Sequence, residues 1–91
     1  MIVTSFDWND ANIDHIARHR VTPDEVEEVF QDRFIVRRSR EGRYVALGRS
    51  EAGRYLMCVF EKRGPPGCLR IITALDMDHK ERKLFHREVS L

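Results

Sequence analysis

RIITALDMDHKER, residues 70–82, is the stretch on which the fold turns. Ile71, Ile72 and Thr73 are β-branched, and with Leu69 before them and Ala74-Leu75 after they read as a strand. Asp76-Met77-Asp78 breaks that run. Asp76 or Asp78 can then cap a helix, and D-H-K-E from Asp78 to Glu81 has the spacing of a capping box. The helix is expected to reach about Glu88, with Leu84 and Phe85 on its inner side. A strand that feeds a helix at the end of the chain must be matched by strands upstream. In an ideal strand alternate residues share a face. Arg70, Ile72 and Ala74 would then face one way, and Leu69, Ile71, Thr73 and Leu75 the other.

Upstream of this unit the pattern is strand after strand. FIVRR, S-R-E-G and RYVALGR, within residues 34–49, predict a hairpin. S-E-A-G, residues 50–53, closes the next turn, and RYLMCVF, residues 54–60, is the third strand of the run. EKRGPPG is a loop, because two adjacent prolines cannot continue a ladder. That loop would set Phe60 against Cys68 and Cys58 against Arg70, so the two cysteines are expected to be buried free thiols.

The N-terminal third is helical apart from a short strand over residues 1–6. Asn9 or Asp10 can cap a helix from Asp10 to His19, whose Ile13, Ile16 and Ala17 form one narrow stripe. V-T-P-D-E-V, residues 21–26, starts a second helix. Thr22 is the cap, Pro23 takes the first helical position and Glu25 can bond back to the cap amide. Val21 and Val26 stand where a hydrophobic staple would hold them. The order is β-α-α-β-β-β-β-α. It predicts an α+β fold, a small antiparallel sheet covered on one face, in a single domain over residues 1–91.

Composition narrows the function. The chain has 91 residues, 34% charged and 42% hydrophobic, enough for a globular core and too apolar for disorder. No run is long enough to cross a bilayer, and residues 1–15 lack a basic start and an apolar stretch. The expected compartment is the cytoplasm, with no membrane partner. The net charge of +1 conceals a separation of sign. Residues 1–32 hold eight acids and two arginines, whereas residues 33–54 hold seven arginines and two glutamates. Arginine alone supplies the positive charge of that middle segment, which suits bidentate contact with a polyanion.

With these elements in place, the chain resembles the BrnT toxins of bacterial type II toxin–antitoxin pairs. The resemblance rests on F-D-W at Phe6–Trp8, on Arg18-His19 followed by V-T-P-D-E-V-E-E-V-F, and on R-Y-V-A-L-G-R-S from Arg43 to Ser50. G-R-Y-L-M-C-V-F from Gly53 to Phe60, R-I-I-T-A and K-E-R-K-L-F complete it. It implies a RelE-like ribonuclease fold, an RNA substrate and a cognate antitoxin with a ribbon-helix-helix part. Operator DNA would be reached only through that antitoxin. Two positions depart from the family pattern. Arg20 stands where a glycine is common after the basic-His pair, and Leu75 stands where an arginine commonly follows the alanine of the last strand.

RNA cleavage without a metal needs a base, an acid and cations that stabilise the charged phosphorane. Arginine clamps phosphate well and shuttles protons poorly. Arg43 and Arg70 are therefore the expected clamp, with Arg18 completing the catalytic set and Arg49 and Arg82 binding RNA. His19 is the acid–base candidate. His15 and His19 sit at i, i+4, a spacing open to zinc, but a third ligand would have to come from His79 or His86, far along the chain, and no Cys or carboxylate pattern supports it, so neither metal nor cofactor is expected. Trp8 reads as an anchor of the strand-to-helix corner, and Tyr44 and Tyr55 as either core or stacking residues. The alternative is a binding module of the same fold, weakened in catalysis by Leu75 and acting with an antitoxin-like repressor.

Overall fold

The structure, a computed structural model, describes residues 1–90; the single-domain expectation extends to Leu91, which lies outside the described residues. The elements follow the expected order: β1 Ser5–Phe6, α1 Asp10–Ala17, α2 Pro23–Val29, β2 Phe34–Arg38, β3 Tyr44–Arg49, β4 Tyr55–Lys62, β5 Cys68–Asp76 and α3 His79–Val89. They build an α+β fold around one five-stranded sheet in the order β1-β5-β4-β3-β2. β2 to β5 form an antiparallel meander, and β1 adds to β5 in parallel.

The caps form as their chemistry requires. Thr22 Oγ1 accepts from the Glu25 amide at 3.2 Å, and Glu25 Oε1 accepts from the Thr22 amide at 3.0 Å. Asp78 and Glu81 make the same reciprocal pair, both bonds at 2.8 Å, so Asp78 caps α3. α1 ends at Ala17 rather than His19. The chain leaves it through Arg20 at φ 59°, a left-handed conformation that disfavours any side chain. A left-handed backbone is one that glycine adopts without this strain.

Helices cover both faces of the sheet, not one. Ile16, Val26 and Val29 from α1 and α2 pack with Ala46, Leu56, Cys58, Phe60, Leu69, Ile71 and Ala74. On the other side Phe85 of α3 packs with Leu47 and Met77 and against Val45, Tyr55 and Met57. The order of elements does not say which face the last helix takes. The close approach of α2 needs Gly48, where a Cβ would lie 2.7 Å from Val29 Cγ1. α3 packs on β2 and β3. The β4–β5 part of its face is only half-covered, with Met57, Val59, Thr73 and Leu75 all half-buried.

A β-bulge corrects the expected alternation in β5. Phe60 pairs with Ile71 but Val59 pairs with Thr73, so Ile72 is an extra residue. Opposed residues of an antiparallel pair share a face. Arg70, opposite Glu61, therefore lies on the same face as Thr73 and Leu75, opposite Val59 and Met57. Ala74 joins Leu69 and Ile71 on the buried helix-pair face. The register also differs at the cysteines: Cys58 pairs with Ala74, and Cys68 pairs with Ser5 of β1. Both thiols are free; Cys58 is buried and Cys68 half-buried. Burial pushes the Cys58 thiol up to about 12, which leaves it protonated and unreactive.

Candidate nucleic-acid interface

Two expected RNA-binding residues meet over one aromatic ring. The β3–β4 hairpin sets Arg49 opposite Tyr55. The Arg49 guanidinium carbon lies 4.6 Å from the Tyr55 ring centre, and its Nε donates to the Gly53 carbonyl at 3.3 Å. From above, α3 lowers Phe85 edge-on to the same ring, with centroids 6.0 Å apart at 80°. That anchor fixes the rotation of the helix. Arg82, three residues earlier, then reaches the Tyr55 ring at 4.2 Å, and the His86 ring stands 5.3 Å from it. Arg82 and His86 are one helical turn apart and so share a face. With His79 and Lys83 they line a recess of about 510 Å³.

This arrangement holds two cations and leaves most of their donors free, Arg49 Nε being taken by the Gly53 carbonyl. A guanidinium over a ring is attracted by the ring's electron-rich face, and its N–H groups stay free for phosphate. His86 brings an imidazole whose two ring nitrogens can donate or accept a hydrogen bond.

The residue before Tyr55 points to the opposite face and is held quite differently. Arg54 donates from Nε to Asp76 Oδ1 at 2.8 Å and from Nη2 to Asp76 Oδ2 at 3.2 Å. Its Nη1 donates to the Arg20 carbonyl at 2.6 Å and to Glu25 at 3.2 Å, and its Nη2 to the His19 carbonyl at 3.2 Å. One side chain thus ties the end of α1, the first turn of α2 and the end of β5 to the start of β4. The hydrogen bond from Arg54 lowers the Asp76 carboxyl from its ordinary value, against a smaller opposing effect of burial. The same bond to Asp76 raises Arg54.

The expected catalytic residues do not come together. Arg18 and His19 are exposed beyond the end of α1, where the His19 ring packs edge-on against His15 at 6.0 Å. No group of three His, Cys, Asp or Glu side chains suited to a metal occurs among the described residues. Arg43 is half-buried at the β2–β3 turn, one residue outside the Tyr44–Phe60 rung. Arg70 lies on the neighbouring rung with Glu61 and donates from Nε and Nη2 to Asp7 Oδ2, at 3.1 and 2.7 Å. Arg43 and Arg70 are therefore near the same end of the sheet. His19 is at the other, six residues of β4 or about 20 Å away. Trp8 is an anchor: its Nε1 donates to Glu27 Oε2 at 2.8 Å, and its ring stacks near Phe6.

The sequence singles out neither Arg54 nor, except as a remote metal ligand, His86, and it leaves Tyr55 ambiguous. The i, i+4 spacing of Arg82 and His86 on either side of inward-facing Phe85 was the available signal. Nothing local distinguishes Arg54 from the six other arginines of its segment.

Compared with known protein families, the chain matches, over residues 8–81, the model described as the ribonuclease toxin BrnT of type II toxin–antitoxin systems. No curated protein matches it by sequence.

Proposed function

Because the chain belongs to the BrnT family of type II toxin–antitoxin ribonuclease toxins, we propose that it binds and cleaves RNA on the α3-side face of the sheet, at Tyr55. The observation that carries this reading is the convergence of Arg49 and Arg82 on that one ring. The two guanidiniums, positioned by the Tyr55 ring, hold the scissile phosphate. As the 2′-oxygen bonds to phosphorus and the P–O5′ bond breaks, both cations stabilise the added negative charge, His86 takes the 2′-hydroxyl proton and the leaving 5′-oxygen takes a proton from water. These side chains and water suffice for the step without a metal. Arg43 extends the same face as a backbone contact, whereas Arg70 is held by Asp7 and His19 acts through the fold rather than at the phosphate.

Membership in this family implies an antitoxin partner. We assign that partner a ribbon-helix-helix part, with operator DNA contacted through it. The direct test is Arg49→Ala/Arg82→Ala, assayed for cleavage of a defined RNA and for growth arrest on induction. Loss of about 10²-fold or more in cleavage rate is expected, on the scale of removing a transition-state donor. An unchanged rate would overturn the assignment.

One observation favours the weakened-module reading. Leu75 is half-buried beside Met57 on the same face as Tyr55 and Arg70. An arginine there would add a third guanidinium to this face. Leu75→Arg should raise cleavage well above the native rate if the site has decayed, and leave it unchanged if Arg49 and Arg82 already suffice.

A further inference from the structure

The sheet has one long open edge. Among the described residues β2 pairs with β3 on one side and with no strand on the other. At the hairpin end the Ser39 amide donates to the Arg43 carbonyl at 2.8 Å, so Ser39 turns its backbone towards β3. Antiparallel ladders alternate, so Ile35 and Arg37 do the same, and Phe34, Val36 and Arg38 turn their amides and carbonyls outward. The outward carbonyl of Val36 accepts from Arg37 Nη1 at 3.0 Å, a donor that a neighbouring strand would replace. A recess of about 660 Å³ runs along this edge, lined by Phe34, Ile35, Val36, Val89 and Met1. Met1 is one of two large apolar side chains that are exposed among the described residues.

A row of unpaired backbone groups is a template for another strand, and the side chains decide which strand fits. Consider two copies of β2 running antiparallel about a two-fold axis through Val36. Val36 then meets Val36, Phe34 meets Arg38 and Ile35 meets Arg37 of the other copy. Every outward residue exchanges both of its backbone bonds. Carried past the strand ends, the same register sets Arg33 against Ser39 and Asp32 against Arg40. No arginine meets another arginine. Moving the axis to Arg37 sets Arg37 against itself, and moving it to Ile35 sets Arg37 against Arg33. Like charges directly opposed are destabilising, so the arginines that guard this edge leave one register open. That register adds a guanidinium beside the Phe34 ring and an opposite-charge pair at each end.

We infer that β2 is the docking edge for a second copy of this chain, paired antiparallel about Val36. The two five-stranded sheets join into one, with both α3 helices on the same side. The inference uses no residue of the Tyr55 site and stands apart from the RNA reading.

A short edge pair is a small interface, so the association should be weak and visible at high concentration. Sedimentation velocity from micromolar to millimolar chain should show the mass rising from one copy towards two. Amide hydrogen exchange, followed by NMR at both ends of that range, reads the register. Protection of the Phe34, Val36 and Arg38 amides should rise by about tenfold or more with concentration, while Ile35 and Arg37, already bonded to β3, stay unchanged. Val36→Pro removes the central outward amide, a change an edge strand tolerates, and should abolish the dimer. Asp32→Arg, at an exposed position, should weaken association by about fivefold, and adding Arg40→Asp should restore it. A mass of one copy at every concentration overturns the inference. So does a dimer that persists in Val36→Pro, or one whose three outward amides gain no protection. A double charge swap that associates no better than Asp32→Arg overturns the register. Protection of those amides in the complex with the antitoxin, but at no concentration of the chain alone, assigns the edge to that partner and overturns the second copy.

Discussion

Arg54 and Tyr55 are consecutive residues with opposite duties. Strand alternation sends Arg54 to the helix-pair side, where two carboxylates and two backbone carbonyls take up its donors. It sends Tyr55 to the α3 side, where two guanidiniums lie against its ring with donors to spare. A charge satisfied by carboxylates is part of the architecture; a charge resting on a ring is still available to a ligand. The same distinction separates Arg82 from Arg70, whose Nε and Nη2 both donate to Asp7. Counting arginines along the sequence cannot separate these roles, because what differs is the partner.

Breaking each side of the comparison should give different symptoms. The largest effect is expected at the ring. Tyr55→Ala should reduce RNA cleavage by about 30-fold or more, because both guanidiniums lose the ring that positions them, at about 0.5–2 kcal/mol each. Because Tyr55 also packs on Phe85, Tyr55→Phe is the control: it keeps ring and packing and should retain most RNA binding.

Arg54→Ala should act on stability instead. It leaves Asp76, Glu25 and two carbonyls without their donor, at a cost of about 2 kcal/mol after allowing for partial exposure. For a chain of this size that lowers the melting temperature by roughly 8–16 °C. Calorimetry would show it, and an Arg54→Ala chain that melts like the native protein would remove Arg54 from the architecture.

Acid sharpens the same contrast. Asp76 is lowered in the folded chain by Arg54, so its contribution is complete above the unfolded carboxylate value near 3.9. That contribution fades as pH falls through the lower folded value. Stability should therefore drop below about pH 4, and Asp76→Asn should flatten that part of the pH–stability curve. A smaller effect belongs to Arg20. Glycine relieves the left-handed strain but adds freedom to the unfolded chain, so Arg20→Gly should stabilise by about 0.5 kcal/mol, read as a rise of a few degrees.

Much of the fold was legible because local chemistry dictates it. Thr22-Pro23 with Glu25, and Asp78 with Glu81, announce helix starts, and loops rich in glycine and proline separate the strands. The bulge at Ile72 was not legible. Ile71, Ile72 and Thr73 are all β-branched, any of them suits either face, and no glycine marks the extra residue. That single irregularity decides that Arg70 and Leu75 share a face. β1 was expected to be longer, and its parallel pairing with β5 depends on a partner more than sixty residues away. Of the candidate site, Arg49 and Arg82 were each named from sequence. Their meeting at Tyr55 depends on the β3–β4 register and on which face α3 covers, and neither is encoded within one segment.

The most direct measurement follows the arginine side-chain Nε–Hε resonances by NMR while a non-cleavable RNA four-mer is titrated in. Arg49 and Arg82 should shift together and saturate with one affinity, while Arg54 stays in place. Shifts at Arg54 with Arg49 and Arg82 unmoved would contradict the assignment of the RNA site to the Tyr55 ring.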